Sequence, residues 1–322
     1  MVAGCSFGYQ LLWVAPLGML LGVVILAAQA HQTLSTGMRP LEAMRRYAGR
    51  GYAAVWAFGA LLASVIWHFP QYSLGSAVLQ DAGSVMGWDL PRGAMGLAIL
   101  VWSIVTAQLY GSKQRLMRIL DLGSTLLVWA IVACFLLVIA YTGIRDWGAL
   151  WRGFFAFEVP PPRGEVSGFA VALSGIAAAV VVNMTFLYPH SLLTRGWGRE
   201  HRQRARYDLV FGLCLPYIFA VSAIVLASAN TVYASGTFAG KKLSPLEAAK
   251  ALTSVLGDDL GRIVFDLGVL GMVLTTVTMH MVCSGFVCSE WFGWRIGSWK
   301  HRLAVLLPAP RSEEHTSELQ SH

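Results

Sequence analysis

The sequence predicts an all-α, polytopic membrane protein, and three observations predict it. Of 322 residues, 56% are hydrophobic and only 13% are charged, with a mean hydropathy of +0.59. A soluble globular chain carries roughly 25% charged residues, and a water-soluble domain of this length has nowhere to hide so much apolar surface. Several stretches run for about 20 residues almost without charge, the length that crosses ~30 Å of hydrocarbon at ~1.5 Å per residue. Lipid offers no partner for free backbone groups and the alternating pattern of a β-barrel is absent, so these stretches are helices.

Seven spans follow in order, near Gln10–Ala30, Ala53–Leu74, Ala94–Tyr110, Ile119–Tyr141, Phe169–Leu193, Leu209–Ala229 and Ile263–Phe286. The net charge of +7 follows their connections and is no sign of nucleic-acid binding. Segments 31–52, 111–118, 194–208 and 294–302 hold 15 Lys and Arg, whereas the longer alternate set 1–9, 75–93, 142–168 and 230–262 holds 8. Basic loops stay in the cytoplasm, so residue 1 is expected outside and the chain after the seventh span inside. The run Arg195–Arg206 then reads as a topology signal. Cys134, Cys214, Cys283 and Cys288 lie in or beside apolar spans and Cys5 stands alone, so no disulfide framework is expected. The last twelve residues, Arg311–His322, look like a translated sequencing-library adapter and are set aside.

Several motifs then agree in order and spacing. Ala3-Gly-Cys-Ser-Phe-Gly-Tyr-Gln-Leu-Leu-Trp13, Tyr188-Pro-His-Ser191, Arg206-Tyr-Asp208, and Thr276-Val-Thr278 with Glu290 and Trp294-Arg-Ile296 together resemble the NRAMP family over residues 3 to 302. The resemblance implies a leucine-transporter-type fold of two inverted repeats, with the substrate at mid-membrane between broken helices. On that reading the spans correspond to family helices two to eight, and the fold is incomplete. Residues 1–143 are first-repeat helices without helix one, 144–168 an extracytoplasmic loop, and 169–302 the start of the second repeat. It further implies secondary transport of a divalent cation (Mn, Fe or Mg) by alternating access, in a multi-pass cell membrane, with a bacterial inner membrane expected. The partners implied are the cation and the lipid bilayer. The cation is substrate, no cofactor is implied, and no oligomeric state follows.

A transported cation trades water for protein ligands, so it needs interrupted helices and a few polar or soft side chains. The span Gly175-Ile-Ala-Ala-Ala-Val-Val-Val-Asn-Met-Thr-Phe-Leu-Tyr-Pro-His190 offers them. Asn183 and Thr185 compete for backbone bonds, and Pro189 leaves the carbonyl four residues earlier unpaired, which predicts a break near 182–186. The resemblance implies a metal-binding methionine here and a backbone carbonyl three residues before it. Gap-free alignment puts Asn183 at the methionine position and Val180 at the carbonyl position, and a one-residue gap puts Met184 there instead. An amide oxygen suits harder ions than a thioether does. The plainer alternative is that Asn183 caps the break and Met184 packs.

The third family helix usually carries two acidic residues for proton movement. Here Phe69 and Tyr72 take those places, within Trp67-His-Phe-Pro-Gln-Tyr72. His68, Gln71 and His190 are the candidates left for a proton or ion pathway, since ionisable groups inside spans are functional hypotheses. Weak or absent proton coupling is the expectation. Met279-His280-Met281 with Cys283 reads as core packing, because neighbouring helical residues point ~100° apart. The family's strongest ligands, an Asp and an Asn on helix one, lie outside the sequence. No phosphate loop, nucleophile elbow or HExxH motif is present, so no enzyme is expected. The readings left open are an organic-solute carrier of the same fold and a membrane scaffold without transport.

Overall fold

The computed structural model describes residues 1–89, 91–109, 114–236 and 245–309. The adapter-like stretch 311–322 lies outside the described residues. Among those described the chain is helical throughout, with no strand beyond one isolated bridge between Arg163 and Val166. Seven helical stretches are long and apolar enough to cross a membrane: Val14–Thr36, Arg50–Val85, Arg92–Leu109, Thr125–Thr142, Gly168–Thr194, Arg199–Tyr233 and Asp258–Phe292. Each coincides with a span expected from hydropathy. The protein is an all-α, multi-pass membrane protein. Residues such as Val24, Val55 and Phe58, each about two-thirds exposed or more, meet lipid in that setting.

The helices are α1 (Val2–Phe7), α2 (Val14–Thr36), α3 (Pro40–Tyr47), α4 (Arg50–Val85), α5 (Arg92–Leu109), α6 (Gln114–Thr142) and α7 (Trp147–Phe155). They continue with α8 (Gly168–Ala179), α9 (Met184–Thr194), α10 (Arg202–Tyr207), α11 (Leu215–Ser228), α12 (Pro245–Leu256), α13 (Asp258–Phe292) and α14 (Trp299–Val305). Their ends follow from local chemistry. The Ser167 side chain accepts from the Ala170 N–H and caps α8, and Asp146 does the same for α7 through Ala149. Helix α4 closes as the Trp88 N–H donates to the Gly83 carbonyl at 2.8 Å, with Gly87 at φ 78°. This left-handed glycine cap leaves no Cβ in a strained place. Pro70 sits inside α4 without ending it. At 36 residues this helix is about 54 Å long, so it extends well past the hydrocarbon or tilts within it.

The chain divides into two compact units. The first comprises Met1–Ile25, Val128–Val181 and Arg206–Gly268. Its core gathers Phe7, Leu11, Trp13, Val14 and Ala172 in one cluster and Met19, Ala179 and Cys214 in another. Small residues on α2 let α8 come close: a Cβ on Gly18 would lie 2.9 Å from the Ile176 Cα, and one on Gly22 would collide with the Val180 side chain. The Trp13 N–H and indole N–H donate to the carbonyls of Gly153 and Glu158 at 2.8 and 3.0 Å, which ties the start of α2 to α7. Two π-helical stretches, Asp208–Cys214 and Ala229–Tyr233, flank α11. Asn230, in the second, donates to the Gly143 carbonyl at 2.8 Å and accepts from the Tyr9 hydroxyl.

The second unit comprises Leu26–Leu127, Val182–Ala205 and Val269–His322, of which residues up to 309 are described. Its main core joins Leu41, Ala53, Ala57, Ala60, Phe186, Cys283 and Val287. Gly75 on α4 leaves room for Ile99 of α5 and Val273 of α13, with a built Cβ only 2.6 Å from the Ile99 Cδ1. This close packing of α4, α5 and α13 seals a column of polar groups described below.

Candidate functional site: a helix break and two buried histidine clusters

The fifth span, Gly168–Thr194, is interrupted. Helix α8 ends at Ala179, Val180 is extended at φ −137° and ψ 103°, and α9 begins at Met184. The interruption thus occupies 180–183, slightly before the expected 182–186. Pro189 is not its cause, because it lies within α9. The cause sits earlier: Val180, Val181 and Val182 form a β-branched run whose side chains crowd a helical backbone and favour extension. Thr185 then closes a tight turn, its N–H donating to the Val182 carbonyl at 3.1 Å.

Val180 belongs to the first unit and is half-buried, while Asn183 and Met184 belong to the second. The Val180 carbonyl accepts no backbone hydrogen bond among the described residues. Asn183 is only 2% exposed, and both its amide oxygen and its amide nitrogen lack a partner. A buried, unpaired amide costs on the order of 1–3 kcal/mol per group, so this side chain is held where a ligand would relieve it. It makes no side-chain cap for α9. Met184 is half-buried beside it. Cys283 of α13, read from sequence as core packing, approaches the Asn183 carbonyl with its thiol at 3.8 Å.

His68 is fully buried on α4. Its Nε2 lies 3.1 Å from the Tyr72 hydroxyl, which lies 3.2 Å from the Ser103 hydroxyl of α5. Ser103 donates its own proton to the Leu100 carbonyl at 2.8 Å. The chain of donors therefore has one consistent assignment: Tyr72 donates to Ser103, and His68 donates from Nε2 to Tyr72. That leaves the His68 Nδ1 as a bare lone pair, buried and without a partner. The ring of His280 lies 6.0 Å away, also with an unpaired buried Nδ1. Farther along, the hydroxyls of Thr106 and Thr278 meet at 3.0 Å. Gln71 is half-buried and makes no side-chain hydrogen bond among the described residues.

His190 of α9 pairs with Glu290 of α13, and both are buried. The other Glu290 oxygen accepts from the Leu41 N–H at 2.9 Å. The His190 ring stacks on Phe286 with centroids 4.3 Å apart. His301 of α14 follows, its Nδ1 2.9 Å from the Ser289 hydroxyl and 3.1 Å from the Gly285 carbonyl. Burial holds its pKa below the ordinary histidine value. The Gly285 bond opposes this, and nearby His190 and Arg302 add to it.

Within the second unit, the structure brings His68 to Tyr72, Ser103 and His280, and His190 to Glu290, while Gln71 joins neither group. Sequence reasoning missed Glu290, His280 and Cys283 as site residues. A signal existed for Glu290, because it is the sole carboxylate from Val269 to Phe292 of an apolar helix, and intramembrane ionisable groups are functional hypotheses.

Among the described residues no group of three or more His, Cys, Asp or Glu side chains could hold a metal ion.

The family model described as natural resistance-associated macrophage protein-like, Nramp, matches residues 1–310. The chain is 23% identical over 313 residues to the divalent metal cation transporter MntH of Yersinia pestis, covering 95% of this chain and 71% of that protein. The protein of the same name from Yersinia pseudotuberculosis aligns equally well. The one from Nostoc sp. is 22% identical over 317 residues, covering 95% of this chain and 67% of that protein. The helix break, the spans and the family match together place this chain in the Nramp family.

Proposed function

We propose that this chain serves divalent metal cation transport across the cell membrane, with the cation held at the interrupted helix and released by alternating access. The observation that carries the reading is Asn183, whose buried amide has no partner at the start of α9. Membership of the Nramp family and relatives named as divalent metal cation transporters support it. Asn183 supplies an amide oxygen, and the Val180 carbonyl, three residues earlier, is the second ligand that the family resemblance implies. Oxygen donors favour Mn²⁺ or Mg²⁺ over softer ions. Met184 is the ligand in place of Asn183 if the alignment carries a one-residue gap.

His68, Tyr72 and Ser103 form the pathway candidate on α4 and α5, with His190 and Glu290 on the other. Neither contains a carboxylate at the two positions where the family keeps its proton shuttle. Metal entry is therefore weakly coupled to protons. The test is Mn²⁺ uptake by cells expressing the protein, set against Asn183→Ala and Met184→Ala at equal expression. Asn183→Ala should cut uptake at least about tenfold, the loss of roughly one charge-assisted ligand. Loss in Met184→Ala alone would move the ligand to Met184. Full uptake by both variants would remove the metal from this break.

A further inference from the structure

The second unit holds a cavity of about 470 Å³ whose arginines belong to neither pathway, although Glu290 borders both. Arg39 before α3, Arg45 and Arg46 within it and Arg50 at the start of α4 converge on it, and Glu42, Glu290 and Trp294 are also in the wall. From these residues we infer that the cavity binds a phosphate group, carried by an anionic lipid headgroup or by a soluble phosphate.

The positive-inside tendency accounts for basic residues in this loop, but any place along the loop would satisfy it. It does not account for four guanidinium groups lining one hollow. Their partners decide the matter. Arg45 is structural: it donates to the carbonyls of Glu290 and Trp291 at 3.1 and 2.6 Å and lies over the Trp291 ring. Arg39, Arg46 and Arg50 are exposed and form no ion pair among the described residues. The carboxylate that would be expected to neutralise them is already engaged, since Glu290 gives one oxygen to His190 and the other to the Leu41 N–H. Glu42 alone remains, and it sits in the first turn of α3, where the helix dipole favours its charge.

Three guanidinium groups with no ion pair among the described residues, one of them 5.9 Å from the Tyr47 ring centroid, match the several oxygens of a phosphate, which accept paired N–H donors better than a halide or a single carboxylate does. The surroundings fit a membrane surface. Tyr47, Tyr52, Phe292 and Trp299 of the same unit are each well over half exposed, as aromatic side chains are at the headgroup level. Basic pockets at this end of membrane helices take anionic headgroups.

The experiment uses the purified 322-residue protein in nanodiscs of phosphatidylcholine, with and without phosphatidylglycerol, and reads intrinsic tryptophan fluorescence and retained lipid by native mass spectrometry. A parallel arm titrates pyrophosphate into the phosphatidylcholine discs. The variant is Arg39→Gln/Arg46→Gln/Arg50→Gln. A charge-matched control carries Arg152→Gln/Arg204→Gln/Arg206→Gln, all exposed and outside the cavity wall. The expected result is retention of phosphatidylglycerol, or binding of pyrophosphate, that weakens about tenfold or more in the first variant and less than about threefold in the control. Phosphatidylglycerol alone identifies the source as lipid, and pyrophosphate alone identifies a soluble phosphate. Absence of both, or equal weakening in the two variants, would overturn the proposal. Circular dichroism of each variant establishes that the fold survives.

Discussion

Asn183 and His68 share one physical feature: each is a buried polar group with an atom left unpaired, in a setting where a lost hydrogen bond is costly. For Asn183 the account predicts a change in metal preference. Asn183→Met replaces a hard oxygen by a thioether, so uptake of Cd²⁺ relative to Mn²⁺ should rise several-fold in competition assays; an unchanged ratio would argue that residue 183 does not touch the ion. For His68 the account predicts little proton movement. Proteoliposomes loaded with a pH-sensitive dye should show Mn²⁺ entry without matching acidification of the lumen. Acidification that tracks metal and vanishes in His68→Ala would mean that the bare His68 nitrogen acts as a relay and that coupling is real. His68, Gln71, His190 and Asn183 could be singled out from the sequence because polar residues in apolar spans are conspicuous. Their partners could not. His190 and Glu290 are 100 residues apart, and a helical repeat says which face a residue occupies without saying which helix will meet it.

Helices were the most legible elements, because hydropathy alone defines a span, while their ends and interruptions depend on backbone detail. The first span begins at Val14 and not Gln10, since residues before it form α1 and a turn with Gly8 at φ 61°. Pro70 leaves α4 intact, whereas three valines open the span Gly168–Thr194. Close packing of α2 on α8 holds that opening in place, so Gly22→Leu should collide with Val180 and destabilise by roughly 1–3 kcal/mol, read as a lower melting temperature in detergent. Gly51→Leu, where a side chain meets open space, should leave it nearly unchanged. The α14 contact carries a pH signature. His301 titrates below its unfolded value, so under acid the unfolded chain binds the additional proton first. Stability conferred at neutral pH should fall as pH drops through about 6.5. His301→Gln should flatten that fall in melting temperature between pH 7 and 5; a slope equal to that of the unaltered protein would show that another group governs it.

At the scale of the whole chain, composition sufficed to establish a membrane protein, and ordered motifs sufficed to reach the Nramp family despite only 23% identity to a named relative. The transported ion was less legible, because on the proposed reading it depends on a few atoms around residue 183 and not on the helices that carry them. The division into two packing units was not legible either: each unit draws on three separate stretches of chain, and no composition shift marks their borders. What joins these scales is the claim that a divalent cation passes through this protein by way of the break at 180–183. The most direct test is Mn²⁺ flux into proteoliposomes containing the purified protein, with Asn183→Ala as the paired variant and circular dichroism to establish equal folding. The account predicts saturable Mn²⁺ entry that falls at least about tenfold in the variant. Entry of an organic solute in place of metal, or Mn²⁺ entry indifferent to Asn183, would contradict it.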